Sequence, residues 1–193
     1  MSTRQDNEGS LPRLLTNLLN PFFIFTALYI TVAAVRSGLS GALLYTLPEL
    51  IAAGLVAGYV LLMRRRARVS DFWISTRAER LIPAIVLLSA FVGLLLALYL
   101  MDAPQALFLT TLSIGLAAAT VAALTLFWKA SAHSAVAGHA AVAGLLLLGP
   151  VGLVFVLALP LVIWARVVLK AHTLSQALAG AGIGAAFALV FLA

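Results

Sequence analysis

Apolar and polar positions hardly alternate along this chain. From about residue 20 onward, long apolar runs are separated by short polar clusters, and the pattern repeats to the end. Runs of about 20 apolar residues match helices that cross a bilayer, not the shorter alternating strands of a membrane barrel. In hydrocarbon each segment must also satisfy its own backbone, which again favours helices. Seven spans are expected, at roughly 20–36, 43–63, 81–101, 104–127, 134–148, 151–169 and 174–192. The Gly-Pro break in LLLLGPVGLV (145–154) is read as a hairpin between the fifth and sixth; a single kinked helix there would make the count six. The expected fold is all-α, a polytopic helical membrane protein with six to seven transmembrane helices, seven preferred. Residues 20–193 form one transmembrane domain.

The opening MSTRQDNEGSLPRLLTNLLN is not read as a signal peptide, because its apolar stretch comes late and no small-residue cleavage site follows. Residues 1–19 are read instead as a cytoplasmic tail ending in an interfacial amphipathic turn.

Composition sharpens this. The 193 residues are 64% hydrophobic and 9% charged, which excludes a water-soluble domain of this size. There is no cysteine, hence no disulfide framework and no thiolate metal site. The formal net charge of +6 is taken as a report on topology and on an anionic lipid surface, not on nucleic acid. With seven spans, the tail and the connections 64–80, 128–133 and 165–173 share one face and carry every Lys and Arg except Arg36. The positive-inside rule then puts the N-terminus in the cytoplasm.

Three clusters converge on that face. In STRAERLIP (75–83), Thr76 and Glu79 form a capping-box pattern and Arg77 and Arg80 share a helix face. In WKASAHSAVAGH (128–139), Lys129, Ser131 and His133 alternate just before a small-residue helix, with Ser131 as a candidate N-cap. In ARVVLKAHTLSQ (165–176), Arg166 and Lys170 end one span, His172 sits in the turn, and Thr173 and Gln176 again suggest a capping box. Taken singly, each is explained by headgroup anchoring and ordinary helix capping. Together, cations, a serine and helix N-termini are what a phosphate needs, and two histidines can supply a nucleophile and an acid.

The arrangement resembles the type 2 phosphatidic acid phosphatase (PAP2) superfamily, in a divergent bacterial PAP2-like branch. Its pattern is three motifs, approximately KxxxxxxRP, PSGH and SRxxxxxHxxxD. The third is matched by Arg166, His172 and Gln176, the second by Ser131 and His133 in ASAH (130–133), and the first loosely by Arg77, Arg80 and Pro83. The resemblance covers about residues 71–185. His139 offers a rival register without a serine and is read as a packed bundle residue. The resemblance implies a PAP2-like bundle in which His172 attacks phosphorus and His133 protonates the leaving oxygen. Arg166, Ser131, Lys129, Arg77 and Arg80 would hold the phosphoryl oxygens, with no metal and no cofactor.

Gln176 stands where the pattern has Asp, the group that orients the nucleophilic imidazole and stabilises its charge. A carbonyl oxygen can still orient the ring. In the Ser-His-Asp proteases, used here as a general precedent, losing the carboxylate costs about 10⁴ in rate. The expected function is a lipid-phosphate or polyprenyl-phosphate phosphatase working through a phosphohistidine at the cytoplasmic interface of a bacterial inner membrane. The alternative is a lapsed relative that binds lipid phosphate or serves as a structural membrane subunit. A transporter finds little support, because Glu49, its one candidate intramembrane carboxylate, is placed near the end of its span, at the interface. Partners are lipid phosphate and membrane lipids, without nucleic acid; the oligomeric state is left open.

Overall fold

The computed structural model describes residues 10–69, 79 and 81–193. Its helices are α1 (Ser10–Leu18), α2 (Pro21–Arg65), α3 (Leu81–Leu100), α4 (Gln105–Thr125), α5 (Ala132–Leu148), α6 (Leu153–Val168) and α7 (Leu174–Leu192), with a 3-10 turn at Gly149–Gly152 between α5 and α6. Among the described residues there is no strand. Five stretches are long and apolar enough to cross a membrane: Pro21–Arg65, Leu81–Leu100, Gln105–Thr125, Ala132–Val168 and Leu174–Leu192. Large apolar side chains such as Leu39, Leu100 and Val190 are more than two-thirds exposed, which suits contact with lipid tails and not with water. The chain is an integral, all-helical membrane protein.

Two of the five stretches double back. A straight helix of the length of α2 would measure about 68 Å, twice a bilayer core. It breaks at Gly38, whose φ of 68° and ψ of −172° lie outside the helical region and in one that only glycine adopts cheaply. Thr26 and Glu49 would lie about 35 Å apart along a straight helix, yet the Thr26 hydroxyl donates to Glu49 Oε1 at 2.7 Å. Residues 21–37 and 39–65 are therefore antiparallel arms joined at one residue. The second reversal is at Gly149–Gly152, where Gly149 has φ 58° and Pro150 blocks helix continuation. Gly152 packs on the backbone of Gly144, an approach only residues without Cβ permit, so α6 returns along α5.

Glu49 is 2% exposed, inside the bundle. Eleven residues of helix separate it from the Gly38 turn, about 16 Å.

Helix α5 is central, packing against α7, α6, α2 and α4. Its sequence AHSAVAGHAAVAGLLLL explains why: small residues on every side let neighbours approach closely, and Ala137, Gly138, His139, Ala140 and Ala143 are all buried. The tightest seam is with α7. A Cβ on Gly138 would strike the Ala181 carbonyl, one on Gly180 the Ser131 carbonyl, and one on Gly184 the Ala135 carbonyl. His139 is 1% exposed and bonds Ser113 of α4 at 2.7 Å. Ser113 spends its hydrogen on the Thr110 carbonyl, so the imidazole Nε2 must be the donor. His139 is thus a satisfied interior residue.

The amphipathic α1 packs on α6. Pro12 and Thr16 are buried against the protein while Leu11, Leu14 and Leu18 face outward.

Candidate functional site

Because α6 runs back between them, α5 and α7 are parallel, and both begin at the same end of the bundle. The Gly138, Gly180 and Gly184 contacts bring the two helix starts together. The Ser131 N–H donates to the Gln176 main-chain carbonyl at 3.1 Å, tying the cap of α5 to the first turn of α7.

Each start is capped as its sequence suggests. Ser131 is the N-cap of α5, and its Oγ accepts from the Ser134 N–H at 3.3 Å and from the Ser134 hydroxyl at 3.0 Å. It is fully buried. Thr173 caps α7 in a complete capping box: Thr173 Oγ1 accepts from the Gln176 N–H, and Gln176 Oε1 accepts from the Thr173 N–H at 3.1 Å. Two helix N-termini, each with N–H groups and a positive dipole end, thus open on the same region.

Arg166 and His172 are linked through the end of α6. Lys170 takes a left-handed φ of 53°, and the N–H groups of Ala171 and His172 both donate to the Arg166 carbonyl, at 3.1 and 3.2 Å. With the Lys170 N–H on the Val167 carbonyl at 2.9 Å, this is a Schellman closure. It swings the chain back so that His172 lies over the residue six positions earlier. Arg166 is 9% exposed and turned into the protein, not toward lipid. His133, 6% exposed, lies within the electrostatic reach of both Arg166 and His172.

The orientation of His172 follows from one contact. Its Nδ1 lies 3.3 Å from the main-chain carbonyl oxygen of Lys129. A carbonyl only accepts, so Nδ1 carries the hydrogen, and in the neutral ring Nε2 carries the lone pair. The Gln176 side-chain oxygen accepts from the Thr173 N–H in the capping box. Side-chain patterns give no hint of this main-chain role for Lys129.

Ser131, His133, Arg166, His172 and the backbone of Lys129 therefore meet at one end of the bundle, with Gln176 beside them in a capping role. Arg77, Arg80 and Thr76 lie outside the described residues; Pro83 is buried in the first turn of α3. No group of three or more His, Cys, Asp or Glu placed to hold a metal occurs among the described residues. A cavity of about 450 Å³, lined partly by Arg36, Gln105, Leu147 and Leu192, opens at the opposite end and shares no residue with this cluster.

No family model matches the chain, and no curated protein or solved structure is significantly similar to it.

Proposed function

We propose that this protein is a membrane-embedded phosphatase of lipid or polyprenyl phosphates, acting through a phosphohistidine on His172. The observation that carries the reading is the Nδ1 contact of His172 with the Lys129 carbonyl, which makes Nε2 the nucleophilic nitrogen in a region served by Arg166, Ser131 and two helix N-termini. In the first step the Nε2 lone pair forms a bond to phosphorus and the P–O bond to the lipid alcohol breaks. His133 gives that oxygen a proton. In the second step water attacks the phosphohistidine, His133 takes its proton, and phosphate leaves. Arg166, the Ser131 hydroxyl, the Lys129 ammonium and the N-terminal N–H groups balance charge on the phosphoryl oxygens, as phosphoryl transfer requires. Arg77 and Arg80 complete that set in this reading.

In this reading the bundle is PAP2-like with seven crossings: the two arms of α2, then α3 to α7. The reversal at Gly38 and the turn at Gly149–Gly152 favour seven over six. The positive-inside rule puts the N-terminus and the site in the cytoplasm of a bacterial inner membrane. A substrate's hydrocarbon tail stays in the bilayer while its phosphate enters at headgroup depth.

The second reading is a relative that binds lipid phosphate without hydrolysing it, or serves as a structural subunit. The Gln176 capping box favours it, because the carboxylate of the family pattern is replaced by a neutral side chain that is already engaged. A phosphate-release assay on phosphatidate, phosphatidylglycerophosphate and prenyl phosphates, with His172→Ala beside the wild type, separates the two. Release abolished by the substitution supports the enzyme. Release that persists removes the nucleophile, and binding without release supports the second reading.

A further inference from the structure

The buried carboxyl of Glu49 lies outside the phosphate cluster and takes no part in it. Its surroundings are defined by the register of the α2 hairpin. Thr26 and Tyr29 are three residues apart on the first arm, and Thr46 and Glu49 three apart on the second. The register that pairs Thr26 with Glu49 therefore also pairs Tyr29 with Thr46. The register thus sets four oxygen-bearing side chains within about one helical turn of each other along the arms.

One of these oxygens is accounted for: Glu49 Oε1 accepts from Thr26 at 2.7 Å. Glu49 Oε2 and Thr46 Oγ1 are buried without a hydrogen-bond partner. Tyr29 is fully buried, and Thr46 is 5% exposed. The Thr111 hydroxyl, whose own hydrogen goes to the Leu107 carbonyl, stands beside the Tyr29 hydroxyl as its acceptor, which leaves the Tyr29 oxygen a lone pair. Hydroxyls in direct reach of a carboxylate would donate to it. Buried oxygens about one turn apart that do not bond one another leave lone pairs for a bridging cation.

Charge decides which atom. Among the described residues, Thr26 is the polar partner recorded for the Glu49 carboxyl and no cationic side chain faces it. A lone buried carboxylate carries a heavy desolvation cost, which one positive charge offsets and two would overshoot. The donors are all hard oxygens, the preference of alkali and alkaline-earth ions and not of softer metals.

We propose that Glu49, Thr26, Tyr29 and Thr46 hold one dehydrated monovalent cation of sodium's class between the two arms of α2. The cation clamps the hairpin from inside, where no interarm loop exists to do so. The site is independent of the phosphatase reading.

The test is binding of radioactive sodium to the purified full chain in nanodiscs at neutral pH, with choline holding ionic strength constant. Saturable binding of one ion per chain is expected, weakened at least tenfold in Glu49→Gln and several-fold in Thr46→Val. The thermal midpoint of the wild type should rise with sodium, and that of Glu49→Gln should not. Absence of saturable binding, or binding undiminished in Glu49→Gln, would overturn the proposal. So would a midpoint that follows pH but ignores sodium, the behaviour of a carboxyl that simply carries a proton. If Glu49→Gln fails to fold, Thr46→Val and Thr26→Val each remove one oxygen at nearly constant shape, and undiminished sodium binding in both refutes the site.

Discussion

Replacing Gly180 by alanine puts a methyl group against the Ser131 carbonyl, the residue that caps α5. An ordinary carbon–oxygen contact needs about 3.3 Å, and a Cβ on Gly180 would fall far inside that distance. The obstacle is main chain and cannot rotate away. Helix α7 must therefore retreat from α5 by about 1 Å, at a cost of about 1–3 kcal/mol for overpacking. For a chain of this size that lowers the melting midpoint by about 2–12 °C. The same retreat shifts His172 relative to His133, and a misplacement of about 1 Å costs on the order of 10²-fold in rate. Gly182, on the same helix, supplies the control, because a Cβ there meets nothing within 4 Å. Gly182→Ala should be neutral or stabilising by up to about 1 kcal/mol, from helix propensity alone. Thermal melting followed by circular dichroism, with phosphate release measured in parallel, compares the pair. If Gly180→Ala matches Gly182→Ala in both, the α5–α7 seam does not position the site and the reasoning fails.

Arg166→Lys keeps the charge but loses the planar fork, and kcat/KM for phosphate release should fall by about 10²-fold with the fold intact by circular dichroism. Ser113→Ala strips the acceptor from the buried His139 Nε2–H; thermal melts should show a loss of about 1–3 kcal/mol, with phosphate release unchanged. Lys170→Gly relieves a left-handed lysine at the end of α6 and should stabilise by about 1 kcal/mol in the same assay.

Much of the fold was legible because hydrophobic runs and helix punctuation are local signals. The expected runs at 81–101, 104–127, 134–148, 151–169 and 174–192 correspond closely to α3 through α7. Ser131 and the Thr173–Gln176 box cap as their sequences suggest, since capping depends on residues only three apart. The Gly-Pro break also folds as read: Gly149 takes a positive φ and Pro150 follows it at the start of the 3-10 turn.

Two features escaped for physical reasons. A polar gap at 37–42 suggested a loop, whereas both arms of α2 stay helical up to the single residue Gly38. The burial of Glu49 and its bond to Thr26, 23 residues away, leave no periodic trace. The second is the partner of His172. Sequence motifs register side chains, so the missing carboxylate drew attention to Gln176. The ring is held by a main-chain carbonyl 43 residues earlier, which any residue at position 129 could provide.

The central claim is that His172 receives the phosphoryl group through Nε2. The most direct measurement is rapid quench of the purified protein with a ³²P-labelled lipid phosphate, followed by peptide mapping of the label. The account predicts a base-stable, acid-labile phosphoramidate on the peptide carrying His172, absent in His172→Ala. Phosphate release with no labelled protein, or a label that survives His172→Ala, would contradict it.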